Sequence, residues 1–151
     1  MTETVTLVGA GPGGAELLTR GGGAALRQAD AVVYDRLVDG SILDLIPKGA
    51  ERICVGKKMG HHPVPQDEIN ALLVRLARQG KRTVRLKGGD CYLFGRGGEE
   101  CEYLKAHGVP FRVLPGVTSA LAAPAFAGIP VTHRDFCSSV HIVTAHARAG
   151  K

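Results

Sequence analysis

The stretch that decides the fold is Val84 to Glu100, VRLKGGDCYLFGRGGEE. An apolar alternation, Val84 and Leu86, breaks at Lys87 into Gly88-Gly89-Asp90. The chain then crosses an aromatic segment with Tyr92 and Phe94 and reaches Gly95-Arg96-Gly97-Gly98 and a Glu-rich helix start. That order is a strand, a ligand loop and a helix N-terminus. Glycines at a strand's carboxyl end let backbone approach a ligand closely, and Asp90 beside them is placed to accept hydrogen bonds from ribose hydroxyls or an amino group. A tight turn with a solvated Asp fits the same residues.

Outward from this passage, strand and helix patterns alternate. On the N-terminal side, Gln66 to Gln79 sets Ile69, Leu72, Leu73 and Leu76 at spacings of 3, 4 and 7, with Pro65 before and Gly80 after, which predicts a helix. Further back, Arg52 to Val55 reads as a strand ending in Gly56-Lys57-Lys58, and Ser41 to Ile46 as a short helix stopped by Pro47. On the C-terminal side a helix is expected from Gly98 to His107, its first turn acidic (Glu99, Glu100, Glu102) as the macrodipole prefers, with Gly108 ending it. Phe111 to Leu114 is a further strand. Beyond it Thr118 or Ser119 caps a small-residue helix in which Pro124 marks a kink or an early turn.

The chain opens on a strand at Val5 to Val8 and the loop GAGPGG, Gly9 to Gly14. Gly9, Gly11 and Gly14 satisfy GxGxxG, and Asp35 closes the next strand-like run, AVVYD, about 20 residues on, as in a nicotinamide- or flavin-binding oxidoreductase unit. Two features oppose that. Pro12 removes an N–H that a pyrophosphate cradle uses, and Gly21-Gly22-Gly23 leaves the next helix weak or broken at about 0.8–1 kcal/mol per interior glycine.

Alternating strands and helices predict an α/β fold, a parallel sheet with helices on both faces. Ligands of such sheets bind beyond the strands' carboxyl ends, and Pro12, Asp35, Lys57, Gly88 to Asp90 and Thr118 all follow predicted strands. One rim therefore gathers them. The 151 residues suit one domain with a core that needs no staples. The four cysteines, Cys54, Cys91, Cys101 and Cys137, lack CxxC spacing, which with the absence of a leader-like start or a bilayer-length apolar run points to a soluble, cytoplasmic protein with reduced thiols. A net charge of +5 with scattered Lys and Arg, no Trp and 5% aromatics favours a polycarboxylate or phosphate ligand over nucleic acid, and no membrane partner is expected. His61 and His62 are adjacent, so their side chains diverge, and no third ligand stands at useful spacing; no metal is expected.

In order, GAGPG, ELLT, YDRLV, VGKKMGHH, PQDEIN, RLKGGD, FGRGGEE, PGVTSA, AGIPVTHRD and SSVHIVTAH resemble the motifs of the tetrapyrrole methylase family, from Val5 to His146. The resemblance implies a five-stranded sheet in the order 3-2-4-1-5. It further implies methyl transfer from S-adenosylmethionine to two pyrrole carbons of uroporphyrinogen III on the way to sirohaem and cobalamin, without a metal. Another precorrin is the same-class alternative. By motif, Asp35 corresponds to the proton acceptor, Lys57 to the proton donor, and Pro12, Gly88, Gly89, Asp90, Leu93, Thr118 and Ser119 to cofactor-binding positions. The substrate carries eight carboxylates, so Arg36, Lys58, His61, His62, Arg96 and Arg134 are candidate partners by charge.

The sequence departs from the family pattern at Gly14-Ala15, where Asp-Pro is usual, at Gly21 to Gly23, and at Cys91, where Pro is usual and a thiol now stands beside the expected cofactor site. Family enzymes carry a second α/β domain, bind cofactor between the two, and form homodimers. On that pattern residues 1–130 are the N-terminal domain and 131–151 a linker and first strand, Val140 to Ala145, of a truncated second one. Such a chain is expected to bind cofactor poorly and to be catalytically incomplete alone.

Overall fold

Five short runs rich in apolar and β-branched residues form the strands β1 (Val5–Gly9), β2 (Ala31–Tyr34), β3 (Glu51–Cys54), β4 (Thr83–Lys87) and β5 (Phe111–Leu114). Between and after them lie helices α1 (Arg20–Arg27), α2 (Gly40–Leu43), α3 (Gln66–Arg78), α4 (Gly97–Ala106) and α5 (Ser119–Phe126). The structure is a computed structural model and describes residues 1–56 and 64–145. Lys57, Lys58, His61 and His62 lie outside the described residues. All strand pairs are parallel, in the order β3-β2-β4-β1-β5, as the family resemblance implies.

The period-2 alternation of the strands divides the core between two faces. Val5, Leu7, Ala31 and Val33 pack with Ile69, Leu73, Val74 and Leu104 of α3 and α4. Val8, Val32, Val84 and Leu86 pack with Leu26 and Ile42 of α1 and α2. Parallel strands need crossovers, crossovers put helices on the faces, and the central strands are therefore buried on both sides. β1 and β4 are buried at every position.

Two expectations are corrected here. The helix after the first glycine loop is intact: Gly21 to Gly23 lie in its first turn, Thr19 accepts a hydrogen bond from the Gly22 amide at 3.1 Å, and Gly22 and Gly23 are buried. Helical packing against β1 requires the smallest residue there, because a Cβ on Gly22 would stand 2.9 Å from Val8 Cγ1. Close packing outweighs the propensity loss of about 1 kcal/mol per glycine. The second correction is Val140 to Ala145, which is exposed and carries no strand. A strand needs a neighbouring strand for its N–H and C=O groups, and among the described residues no strand of the sheet runs beside this segment.

At the amino-terminal end of the sheet, Asp30 ties β2 to β4. Its carboxylate accepts from Arg82 Nη2 at 2.8 Å, Arg82 Nε at 2.9 Å and the Arg82 backbone N–H at 2.9 Å. Those hydrogen bonds hold the Asp30 carboxyl down at about 2. A depressed carboxyl stabilises the fold above its ordinary value, about 3.9, and that contribution fades as pH falls through the folded value. We expect Asp30→Asn to lower the denaturation midpoint at neutral pH, with the gap to the unaltered protein closing between about pH 4 and pH 2. A gap independent of pH contradicts this role.

Candidate functional site

At the carboxyl ends of β1, β4 and β5 three loops meet backbone against backbone. Gly11 N donates to Gly89 O at 3.1 Å and Gly89 N to Gly11 O at 2.8 Å, joining the first and fourth strands' loops. Gly9, at the end of β1, sits so close to Gly116 and to the Gly89 carbonyl that a Cβ at Gly9 or at Gly116 would overlap backbone atoms. Glycine is thus dictated by contact at these positions. GAGPGG is built for the neighbouring loops, and no helix N-terminus follows it directly, since a 3-10 turn at Ala15–Leu17 precedes α1.

The meeting leaves a cleft of about 270 Å³ lined by Gly11, Pro12, Leu37, Gly88, Gly89, Asp90, Leu93, Thr118 and Ser119. All seven expected cofactor-binding residues are among them. The additions are Gly11 and Leu37, the latter 87% exposed despite its apolar side chain. Backbone from the glycines, apolar surface from Pro12, Leu37 and Leu93, and hydroxyl-bearing residues at 118 and 119 suit a ligand with both polar and apolar parts.

Asp90, which lines the cleft, also holds the loops around it. Its Oδ1 accepts from the Tyr92 and Leu93 amides at 2.8 and 3.1 Å, and its Oδ2 from the Gly116 amide at 3.1 Å. The carboxylate folds its own loop and ties it to the loop after β5. Thr118 likewise caps α5, accepting from Ala120 N at 3.3 Å.

The charged candidates divide. Asp35, at the end of β2, is 29% exposed and pairs with Arg85 at 3.1 Å. Arg36 is exposed and packs over Gly56 at the end of β3. Arg96 lies away from the cleft in a left-handed conformation (φ 57°) and forms a two-pronged ion pair with Glu99 at 2.9 and 2.6 Å. Arg134 is exposed in the segment after α5.

Beneath the rim lies a buried charge network absent from the expected site. Alternation sends Arg85 and Lys87 of β4 toward α3 and α4, leaving them 2% and 5% exposed beside Glu100 at 0%. Glu100 Oε1 accepts from Arg85 Nε at 2.9 Å, Lys87 Nζ at 3.1 Å and Gln66 Nε2 at 3.2 Å. Burial disfavours the Arg85 cation, but the carboxylates of Glu100 and Asp35 outweigh burial and push its pKa above the usual value. The only trace of it in the sequence is the alternation of charges along β4: once both faces of the sheet are covered such charges are buried, and a buried cation requires a buried acid.

Cys91, expected beside the ligand, is fully buried and belongs to the core under α3 and α4. Burial, with the Asp90 charge, pushes its thiol up to about 12, so it is an inert packing group.

The topology excludes the dinucleotide geometry. β4 stands between β1 and β2, so the Asp35 strand is not the neighbour of the glycine-loop strand, and Asp35 is engaged by Arg85. A model of the tetrapyrrole (corrin/porphyrin) methylases matches residues 4–150. The chain belongs to the tetrapyrrole methylase family. Siroheme synthase 1 of Serratia proteamaculans is 59% identical over 144 residues, 95% of this chain and 30% of that protein. Uroporphyrin-III C-methyltransferase from Thermus thermophilus, solved in complex with S-adenyl homocysteine, is 50% identical with a TM-score of 0.75, covering 90% of this chain and 56% of that one. Cobalt precorrin-4 methyltransferase, a cobalamin biosynthetic enzyme, is 34% identical with a TM-score of 0.83, covering 96% of this chain and 59% of that one. The chain spans 29–30% of the length of the curated relatives it matches first.

In this tetrapyrrole methylase the three-loop contact is the part least tolerant of added volume. Gly116→Ala drives a Cβ into the Gly89 carbonyl and the Gly9 backbone, neither of which can swing aside as a side chain would. The expected cost is about 3 kcal/mol, read from denaturant unfolding. Unchanged stability in that variant contradicts the packing described.

Proposed function

We propose that the protein transfers methyl groups from S-adenosylmethionine to two pyrrole carbons of uroporphyrinogen III, giving precorrin-2 for sirohaem and cobalamin biosynthesis. The observation that carries this reading is convergence: Pro12, Gly88, Gly89, Asp90, Leu93, Thr118 and Ser119, far apart in sequence, line one cleft. The S-adenyl homocysteine complex of the similar Thermus enzyme supports the ligand class.

S-adenosylmethionine, when bound, supplies a methyl carbon made electrophilic by its sulfonium. The chain's own residues orient and exclude water. The glycine backbones allow close approach, Asp90 keeps the loop walls in place, and Pro12, Leu37 and Leu93 cover apolar ligand surface. Methylation forms a carbon–carbon bond, breaks the carbon–sulfur bond and releases a proton from the macrocycle. Asp35 Oδ accepts that proton from its partly exposed position at the rim. Lys57, the next residue after Gly56, is the proton donor. Arg36 and Arg134, with Lys58, His61 and His62, meet substrate carboxylates, and Arg96 joins them by exchanging Glu99 for a substrate group. A net charge of +5 suits that polyanion. The same reading makes the protein a cytoplasmic homodimer in which residues 1–130 form the N-terminal methylase domain. Among the described residues no helix is long and apolar enough to cross a membrane.

The TM-score of 0.83 against cobalt precorrin-4 methyltransferase favours a later precorrin as the second reading. Anaerobic incubation with uroporphyrinogen III and methyl-labelled S-adenosylmethionine separates them by mass. In the full-length protein two labelled methyls on uroporphyrinogen III are expected, and Asp35→Asn is expected to slow transfer by about 100-fold or more. Label on a later precorrin alone selects the second reading. Full activity in Asp35→Asn removes the proton-acceptor role.

A further inference from the structure

The Glu100–Arg85 pair is buried more deeply than anything else charged among the described residues, and its geometry leads to one place. Glu100, near the start of α4, is wholly inaccessible. Its Oε1 gathers the Arg85, Lys87 and Gln66 donors, while its Oε2 has no hydrogen-bond partner, the one buried side-chain N or O atom so placed among the described residues. Arg85 is gripped on every nitrogen. Nε donates to Glu100, Nη1 to the carbonyls of Val33 and Leu86 at 3.4 and 3.3 Å, and Nη2 to both oxygens of Asp35 at 3.2 and 3.1 Å. Gln66 in turn donates to Asn70 of α3 at 2.9 Å, so both covering helices hold the cluster.

Such a cluster is a poor way to make a core. Two cations and two carboxylates must give up water, and apolar residues of similar volume would serve stability as well or better. What the arrangement provides instead is direction. The guanidinium fork ends on the single member of the cluster that reaches the rim, Asp35, at 29% exposure against 2% for Arg85 and 0% for Glu100.

We propose that Arg85 and Glu100 are positioning residues for Asp35: Glu100, fixed in the core, locks the guanidinium, and the guanidinium fixes the carboxylate's place and orientation at the rim. The inference rests on Asp35 being the proton acceptor. Lys87 neutralises the second carboxylate, so the cluster carries no net charge and Arg85 need not leave Asp35 to satisfy Glu100. Neither positioning residue lines the cofactor cleft.

The test combines spectroscopy with kinetics on the protein carrying Glu100→Gln or Arg85→Lys. Glu100→Gln keeps the shape and removes the charge; Arg85→Lys keeps the charge and removes the fork. Each is expected to move the Asp35 side-chain carboxyl carbon resonance while S-adenosylhomocysteine affinity stays within about twofold. Each is expected to lower kcat by about 100-fold with KM little changed, as misplacement of a reacting group does. In an Asp35→Asn background the same changes are expected to cost nothing further, because residues acting through one group are not additive. Should both variants fail to fold, the unaltered protein still decides the point, since a locked Arg85 Nε–H exchanges slowly with solvent. A fast-exchanging Nε–H, an unmoved Asp35 resonance, or equal losses in the two backgrounds overturns the proposal. If instead Asp35→Asn transfers methyl groups normally while the resonance still moves, the positioning stands and the proton-acceptor reading fails.

Discussion

The structure depends on a contact that only glycine permits. Gly9, Gly89 and Gly116 bring three loops together with no side chain between them, and every other feature of the rim follows from that closeness. The loops can share hydrogen bonds directly, Gly11 with Gly89 in both directions. One carboxylate, Asp90, is then near enough to fasten two of them at once. A small cleft remains between walls made largely of backbone, which is the kind of surface that can approach a ligand closely. The glycine loop that resembles a nucleotide cradle is therefore explained by its neighbours.

A second constraint governs what lies below the rim. Parallel strands covered on both faces leave no solvent for the alternate residues of β4, yet that strand carries Arg85 and Lys87. Their charge has to be answered inside the fold, and Glu100 from α4 answers it. Breaking such a pair typically costs about 3–5 kcal/mol, since the surviving partner is left as an unpaired buried charge. α4 is thus tied to the sheet by more than apolar contact, and Gln66 brings in α3. The framework beneath the candidate proton acceptor is rigid for electrostatic reasons.

Much of this was legible in the sequence because it is local or motif-borne. The periodicity of Gln66 to Gln79, the glycines ending β1 and β4, and the cap at Thr118 each carry a physical signature, and the seven residues singled out by motif line one cleft. What was not legible depends on contacts across the sheet. Gly21 to Gly23 read as a helix breaker because propensity is local, whereas the packing of Gly22 against Val8 of β1 is tertiary. The tie between the Asp90 carboxylate and the Gly116 amide did not show, because the two residues are 26 apart. Cys91 read as a thiol beside the ligand, whereas the loop turns it into the core. Leu37 and the Arg85–Glu100 pair escaped notice because a lone exposed leucine and alternating charges look like ordinary surface until both faces of the sheet are covered.

The most direct measurement is a crystal structure of the full-length protein with S-adenosylhomocysteine. The account predicts ligand density in the cleft against Pro12, Gly88 to Leu93 and Thr118-Ser119, with the Asp90 carboxylate still bonded to the Tyr92, Leu93 and Gly116 amides. A ligand bound elsewhere on the molecule, or in a cleft where Asp90 has released Gly116, would contradict it.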